Sequence, residues 1–221
     1  MSKRRLKFSK TGMGKFISHL DLLRTFTRAI HRANLPVRYS QGFNPHQLIT
    51  FSLPLPIGVT SETEFVDIDF EDTAVSGEIM EKLNQNLPPD IKILSVSLPE
   101  CKANDITAAR YNIEIRSDGE FDRAKIEEFF AQTDIPVVKK TKKGEKTVNL
   151  REYILKYEIK ECEPHRTVFD ITLSAGGSAN IKPDIFVAKL EEWLGLGEFS
   201  GFDIHRLQIF YKIGEEIKIF C

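Results

Sequence analysis

The chain has 221 residues, of which 41% are hydrophobic and 29% charged. These proportions are typical of a globular protein in water, and the length allows one large domain or two of about 100 residues. No apolar run approaches the roughly 20 residues that span a bilayer, and the basic start MSKRRLKFSK lacks the apolar stretch of a secretory signal. We therefore expect a cytoplasmic protein with no membrane association.

In chain order, the first hundred residues alternate between strand and helix patterns. Ser18 followed by Asp21 has the spacing of a helix N-cap with an acid three residues later, and Pro36 requires that helix to end before it. The predicted order is βαββαβ, with elements at 6–12, 18–33, 48–58, 63–70, 75–88 and 91–98.

The second half repeats this order of elements without repeating the residues. Residues 99–108 are interpreted as a linker, and an extra hairpin near 135–150 follows the first helix of this half. The other predicted elements lie at 110–116, 121–132, 155–161, 167–173, 182–195 and 203–212. We therefore predict an α+β fold of two tandem ferredoxin-like units, residues 1–100 and residues 101–221, with the extra hairpin in the second unit.

Charge is unevenly distributed although the formal net charge is only −1. Residues 1–50 hold ten Lys and Arg against one acid, whereas residues 51–100 hold two Lys and Arg against ten acids. Such asymmetry is typical of a polyanion-binding surface. The alternative is that the acidic stretch 62–72 folds against the basic stretch and neutralises it.

The first helix has two contrasting faces. An apolar face holds Leu20, Leu23, Phe26, Thr27 and Ile30. A basic face, within about 100° of arc, holds Arg24, Arg28, His31 and Arg32. Arginines spaced by one turn suit a phosphate backbone, because guanidinium groups bind phosphate with two parallel hydrogen bonds and stay charged. The alternative is a solvated face on which Asp21 pairs with an arginine.

The stretch RYSQGFNPH (38–46) follows this helix closely. Gly42 permits a positive φ and Asn44-Pro45 favours a turn, which together would expose Phe43 and His46. An exposed Phe among arginines is a typical stacking platform for an unpaired base. The alternative is that Phe43 covers the edge of the core and His46 caps the next strand.

Other candidate sites carry weaker patterns. His19 and His46 are residue types that act as general base and acid in RNA cleavage, and with Asp21 they are also potential metal ligands. The Lys-rich tip KKTKKGEK (139–146), with Lys142 and Lys143, is typical of a solvated loop but also suits gripping a phosphate backbone.

The three cysteines, Cys101, Cys162 and Cys221, lie far apart, and no CxxC pair occurs. This spacing disfavours a zinc ribbon, a redox motif and an iron–sulfur cluster. Reduced thiols are the simplest expectation. We predict no bound metal and no cofactor, so any cluster chemistry would come from a partner.

The segment KFISHLDLLRTFTRAIHRANLPVRYSQGFNPHQLITFSLPLPIGVTSETE, residues 15–64, resembles the start of a bacterial family of unknown function linked to radical SAM proteins. The matching pieces are FISHLDLLR, LPVRYSQGFNPH and LPLPIGVTSETE. Members of that family occur alone, beside a radical SAM gene or fused behind a radical SAM domain. The resemblance implies that this chain is the stand-alone companion of a radical SAM protein, and it supplies no catalytic residues.

Together these patterns predict an RNA-binding companion that presents a tRNA or rRNA substrate to a radical SAM enzyme, in RNA modification or processing. The expected RNA-binding residues are Arg24, Arg28, Arg32, Arg38, Tyr39, Gln41, Phe43, His46, Lys142 and Lys143. Whether the chain is itself an enzyme stays open. The alternatives are a metal-independent endoribonuclease that uses His19 and His46, and a protein–protein adaptor that docks through 62–72.

Overall fold

The computed structural model describes residues 2–71, 75–141, 144–177 and 179–221. No helix in these ranges is long and apolar enough to cross a membrane. The helices are α1 (His19–Arg32), α2 (Ser76–Asn86), α3 (Arg123–Ala131) and α4 (Pro183–Leu194). The strands are β1 (Ser2–Lys10), β2 (Ile49–Phe51), β3 (Val59–Phe70), β4 (Ile91–Ser97), β5 (Ile106–Arg116), β6 (Pro136–Thr141), β7 (Gly144–Asn149), β8 (Ile154–Glu163), β9 (Arg166–Ser174), β10 (Gly201–Ile213) and β11 (Glu216–Ile219). The α+β class predicted from the sequence is confirmed.

The chain divides into two compact units. The first comprises Met1–Ile106 and Tyr211–Cys221, and the second comprises Thr107–Phe210. The last residues of the chain therefore pack with the first unit. The domain ranges predicted from the sequence, 1–100 and 101–221, assign those residues to the second unit and stay a prediction.

In the first unit, β1 lies between β4 and β3, and β2 pairs with the other side of β3. All three pairings are antiparallel. The register places Lys3 opposite Asp69 and Arg5 opposite Asp67. Cations of the basic N-terminal strand thus meet acids of the 62–72 stretch directly across the sheet.

In the second unit, the strand order is β10-β5-β9-β8, and β6 and β7 form a separate two-stranded hairpin. The β5–β9 and β8–β9 pairings are antiparallel. The four main strands, numbered along the chain, are β1 to β4 in the first unit and β5, β8, β9 and β10 in the second. Across the sheet, both units place these strands in the order fourth, first, third, second.

Helix α1 buries a different apolar stripe from the one expected. Its buried residues are Leu22, Phe26, Ala29 and Ile30, and they join a core with Leu6, Phe8, Val66, Ile68, Ile79 and Leu83. Leu20 is 63% exposed, so its predicted place on the core face was wrong. The spacing of the buried residues, i, i+4, i+7 and i+8, is that of a helix covering a sheet. Phe26 and Ile30 were predicted on the core face, whereas Leu22 and Ala29 were not.

Two other segments differ from expectation. The predicted strand at 48–58 is a strand only at Ile49–Phe51, because Pro54 and Pro56 have no N–H group to donate to a neighbouring strand. The predicted linker at 99–108 already contains the start of β5 at Ile106. The final strand, β11, was not predicted.

Candidate nucleic-acid interface

The start of α1 is fixed by its N-cap. The Ser18 Oγ atom accepts a hydrogen bond from the Asp21 N–H at 3.2 Å and donates to the Asp21 carboxylate at 2.7 Å. Arg24 donates to the same carboxylate at 2.8 Å. The hydrogen bond from Ser18, followed by that from Arg24, lowers the pKa of the Asp21 carboxyl below its usual value. The phase of the helix, and so the direction of its arginines, follows from this start.

The three arginines of α1 are all exposed, but they differ in their partners. Arg24 pairs with Asp21, which lies on the same helix. Arg32 donates to the backbone carbonyl of Asn86, at the end of α2. Arg28 has no hydrogen-bond or ion-pair partner among the described residues. Its guanidinium is therefore available to an anion from solution.

Two acids of β3 pair with β1 and not with this face. Asp67 binds Arg5 at 2.7 Å, and Asp69 lies 3.7 Å from Lys3. Asp72, in the same stretch, is outside the described residues. The charge compensation suggested by the sequence therefore takes place between β1 and β3, and α1 contributes neither partner of these two pairs.

The stretch 38–46 is a loop with a closed base. Tyr39 forms an isolated antiparallel bridge with Gln47. The Ser40 N–H donates to the His46 carbonyl at 2.8 Å, and the Ser40 hydroxyl lies 2.8 Å from His46 Nδ1. Gly42, with a φ of 122°, lies in the left-handed region that favours glycine. These contacts hold the base of the loop and leave its tip in solvent.

Aromatic side chains are exposed on this loop. The Phe43 side chain is completely exposed, and Tyr39 is 48% exposed. Gln41, His46 and Arg38 are also exposed. The Phe43 ring is open to solvent on all sides and is therefore accessible to another molecule.

A cleft of about 640 Å³ joins the helix to the loop, and we call it the α1 cleft. Its volume falls within the roughly 300–1,000 Å³ usual for small-molecule sites. Both basic and apolar side chains line it, together with polar groups of the loop. The lining residues are Leu23, Thr27, Arg28, His31, Arg32, Tyr39, Pro45, His46, Gln47 and Ile49. The basic face of α1 and the 38–46 loop thus border one cavity.

Gln47 gives the α1 cleft an unusual polar group. The residue is only 7% exposed. Its Nε2 atom contacts the Thr27 carbonyl at 3.5 Å and the Tyr39 hydroxyl at 3.4 Å. Its Oε1 atom is buried and has no hydrogen-bond partner among the described residues. A buried acceptor left unpaired costs about 1–3 kcal/mol.

Sequence reasoning did not select Gln47 or His31 as site residues. His31 shares the helix face of the arginines, and this pattern was the signal available for it. Gln47 follows His46 in a polar loop, and no local pattern indicates that its side chain is buried.

The histidines are arranged differently from the predicted catalytic pair. His46 lines the α1 cleft together with His31. His19, at the first turn of α1, is not among the lining residues; its ring packs edge-on against Phe51 with centroids 5.3 Å apart. The structure therefore brings His31, not His19, to the cavity that His46 borders.

The lysine-rich tip belongs to the second unit. The Lys139 ammonium lies 5.6 Å from the centre of the Tyr153 ring. Lys142 and Lys143 lie outside the described residues. The three cysteines are free thiols. No group of three or more His, Cys, Asp or Glu within the described part of the chain is arranged to hold a metal ion.

A bacterial family described as "Uncharacterized protein conserved in bacteria (DUF2344)" matches residues 3–183. The chain belongs to this family. The matched range includes α1, the loop and the α1 cleft. A search of curated proteins gives no match.

Two solved structures are similar in fold. One chain of a Cbf5-Nop10-Gar1 complex gives a TM-score of 0.51 at 12% identity, over 93% of this chain and 48% of that chain. One chain of the archaeal box H/ACA sRNP Nop10-Cbf5 complex gives a TM-score of 0.51 at 11% identity, over 92% and 46%. This chain thus spans about half the length of the proteins it matches. At such low identity the likeness concerns the fold.

Proposed function

We propose that the α1 arginines, the 38–46 loop and the α1 cleft bind single-stranded RNA, and that the chain presents this RNA to a radical SAM enzyme for modification or processing. The observation that carries the proposal is the α1 cleft itself. There Arg28, which has no hydrogen-bond or ion-pair partner among the described residues, borders the same cavity as Tyr39 and His46. Phe43 projects into solvent two residues before Pro45, which is also a lining residue.

Two interactions form the physical basis of the proposal: attraction between arginines and phosphates, and stacking of aromatic rings on bases. Arg24, Arg28, Arg32 and Arg38 attract phosphates by a term that is independent of sequence. Tyr39 and Phe43 offer ring faces on which unpaired bases stack, each such contact contributing about 1–3 kcal/mol. Gln41 and His46 contact sugars or base edges. Lys142 and Lys143 are proposed to extend the phosphate contacts.

The fold gives further support. Both units have the strand order of a ferredoxin-like unit, and we propose that the chain is a tandem pair of such units with the β6–β7 hairpin added. The chain is also similar in fold to one chain of an archaeal box H/ACA sRNP complex, which is an RNA–protein particle. RNA, as tRNA or rRNA, is therefore the nucleic acid that we propose.

The radical SAM partner rests on the resemblance of residues 15–64 described above. Affinity purification of the tagged chain from its own cells, after cross-linking, tests the partner and the RNA together. We expect a radical SAM protein and a defined RNA to be recovered. Recovery of RNA without any radical SAM protein would contradict the partner and leave the RNA-binding proposal standing.

RNA binding itself is tested with the triple variant Arg24→Ala, Arg28→Ala and Arg32→Ala. We expect its affinity for single-stranded RNA to fall and the dependence of log K on log salt to become shallower by about two units. Equal binding by the variant and the natural chain would overturn the assignment of these residues.

Cleavage of RNA is a second candidate, because His31 and His46 border one cavity. The predicted pair His19 and His46 would act without a metal. If His46 takes part in cleavage, His46→Ala should slow RNA cleavage by the purified chain by a factor of roughly 10²–10⁴. Cleavage at the same rate in both proteins would identify a contaminating nuclease and remove this candidate.

The adaptor alternative stays a prediction, although Asp67 and Asp69 already bind cations of β1.

A further inference from the structure

A second cavity, of about 420 Å³, lies between α1 and α2, and we call it the α1–α2 cavity. Its lining residues are Thr25, Arg28, Arg32, Gln85, Asn86, Leu87 and Pro88. Arg28 and Arg32 line both this cavity and the α1 cleft. The two arginines therefore lie between the two cavities, and a ligand that binds them can extend into both.

The two cavities differ in the chemistry of their walls. The α1 cleft has apolar side chains and the ring of Tyr39 beside the polar groups of its loop. The α1–α2 cavity has the hydroxyl of Thr25 and the amide of Gln85 beside Leu87 and Pro88. None of the described residues that line it is acidic. A nucleotide combines the same two kinds of group, because it joins a ring that stacks to a phosphate that accepts hydrogen bonds.

The end of α2 borders the α1–α2 cavity, and the last carbonyls of a helix ordinarily repel an anion. Two of these carbonyls already accept hydrogen bonds. The Leu83 carbonyl accepts one from the Leu87 N–H at 2.8 Å, and the Asn86 carbonyl accepts one from the Arg32 guanidinium. The positive charge of Arg32 thus lies at the negative end of α2 and reduces this repulsion.

Hydrogen-bond donors around the α1–α2 cavity are only partly used. Arg28 has no hydrogen-bond or ion-pair partner among the described residues. Arg32 uses its Nη2 atom for the Asn86 carbonyl, whereas a guanidinium group has five N–H donors in all. The Gln85 Nε2 atom donates to the exposed Glu81 carboxylate at 3.4 Å, a long contact that a stronger acceptor can replace. An anion in this cavity can therefore accept hydrogen bonds from both helices.

We propose that the α1–α2 cavity binds a phosphate of single-stranded RNA, and that the base next to this phosphate enters the α1 cleft. The strand then crosses α1 over Arg28 and Arg32, which bind the phosphate between the two cavities. Gln85 donates a further hydrogen bond to it from α2. The inference rests on the proposed RNA binding and adds to it a phosphate site and a path for the strand.

Gln85→Glu is the direct test, because it replaces a donor on the wall of the α1–α2 cavity by a carboxylate of the same size. The titration is made at about 0.15 M salt, where charges more than about 8 Å apart are largely screened. We expect the full chain with this change to bind single-stranded RNA about tenfold more weakly. Gln132→Glu, the same change at a residue that lines neither cavity, should bind like the natural chain. Equal binding by Gln85→Glu and the natural chain would overturn the inference.

Gln85→Lys makes the opposite change and gives a second, independent measurement. A new cation beside a bound phosphate should tighten RNA binding and make the dependence of log K on log salt steeper by about 0.7 units. Because Gln85 is exposed, neither change should disturb the core. A salt dependence that is the same in Gln85→Lys and in the natural chain would contradict a phosphate at this position.

Failure of the wider proposal has a different signature. If the natural chain does not bind single-stranded RNA in a way that depends on salt, the proposed RNA binding is wrong. If it binds with that dependence and Arg28→Ala weakens binding, whereas neither change at Gln85 has an effect, only the phosphate site is wrong.

Discussion

At the scale of single residues, the three arginines of α1 differ in the contacts that they make within the protein. Arg24 shares a hydrogen bond with Asp21, and Arg32 is held by the carbonyl of Asn86. Arg28 lies between them on the same helix and borders the α1 cleft without a partner among the described residues. Because an anion that binds Arg28 displaces no existing contact, this arginine should contribute more to phosphate binding than either neighbour.

Arg28→Ala should weaken RNA binding for all sequences alike and make the salt dependence of log K shallower by about one unit. Titrations of a single-stranded RNA at several salt concentrations measure this slope. Arg123→Ala is the matched control, because Arg123 is an exposed helix arginine paired with Glu127 in the second unit. An unchanged slope in Arg28→Ala would show that this arginine contacts no phosphate.

Phe43→Ala should separate binding from folding. The side chain is fully exposed, so the free energy of unfolding should change by no more than about 0.5 kcal/mol. RNA binding should weaken by about 1–3 kcal/mol through loss of base stacking, and Phe43→Trp should retain it. Urea unfolding and RNA titration of the same preparations measure both quantities. Normal affinity in Phe43→Ala would mean that the loop tip stacks on no base.

At the scale of elements, the start of α1 positions the whole basic face. Ser18 and Asp21 exchange two hydrogen bonds there, and Asp21 also binds Arg24. The negative carboxylate lies in the first turn, where the helix dipole favours it. The same small network therefore stabilises the helix and orients the first arginine of the face.

Ser18→Ala should lower the free energy of unfolding by about 1 kcal/mol, the usual effect of losing an N-cap. It should also raise the pKa of Asp21 towards its ordinary value, because the largest cause of the lowered pKa is the Ser18 hydrogen bond. Urea unfolding and an NMR titration of the carboxyl measure the two effects. Ser76→Ala is the control, since Ser76 opens α2 without capping it.

The pH dependence follows from the direction of this shift. A carboxyl with a lowered pKa in the folded state stabilises the fold above its unfolded pKa, about 3.9. This contribution is lost as the pH falls through the lower, folded pKa. The stability difference between the natural chain and Ser18→Ala should therefore narrow in acid. A constant difference across this range would contradict the proposed link between the cap and Asp21.

At the scale of the whole molecule, the first unit is held together by a buried cation. The Arg5 side chain is 1% exposed and binds both carboxylate oxygens of Asp67, at 2.7 and 2.9 Å. It also donates to the carbonyls of Cys101 and Cys221, and its guanidinium lies 4.3 Å from the centre of the Phe220 ring. One residue of β1 thus contacts β3, the segment after β4 and the last residues of the chain.

Arg5→Met should lower the free energy of unfolding by about 3–5 kcal/mol, because it removes a buried guanidinium and leaves the Asp67 carboxylate and the carbonyls of Cys101 and Cys221 without their donor. The double change Arg5→Met and Asp67→Leu should recover much of this loss. The control is Arg110→Met, which breaks a similar cross-strand pair with Asp170 whose arginine is 44% exposed; we expect about 0–1 kcal/mol there. Equal losses in Arg5→Met and Arg110→Met, measured by urea unfolding, would contradict the role given to burial.

Features that depend on near neighbours in the chain were determined by the sequence alone. The cap at Ser18, the end of α1 before Pro36 and the exposed turn around Gly42 follow from local backbone geometry and hydrogen bonding, and the structure has all three. The order of strands and helices up to β10 was also predictable, because periodicity is a local property. The resemblance to a bacterial family of unknown function was visible in the motifs of residues 15–64, whereas the link to radical SAM proteins stays a prediction.

Features that depend on distant parts of the chain were decided only by the tertiary structure. The sequence showed one basic stretch and one acidic stretch. Only the β1–β3 register determines that Asp67 pairs with Arg5 and not with an arginine of α1. The burial of Gln47 depends on the packing of a loop against Thr27, and the place of the final residues depends on Arg5 and Phe220. Composition and spacing specify which groups are present; the partner of each charge and of each buried polar atom is specified by register and packing across long sequence separations.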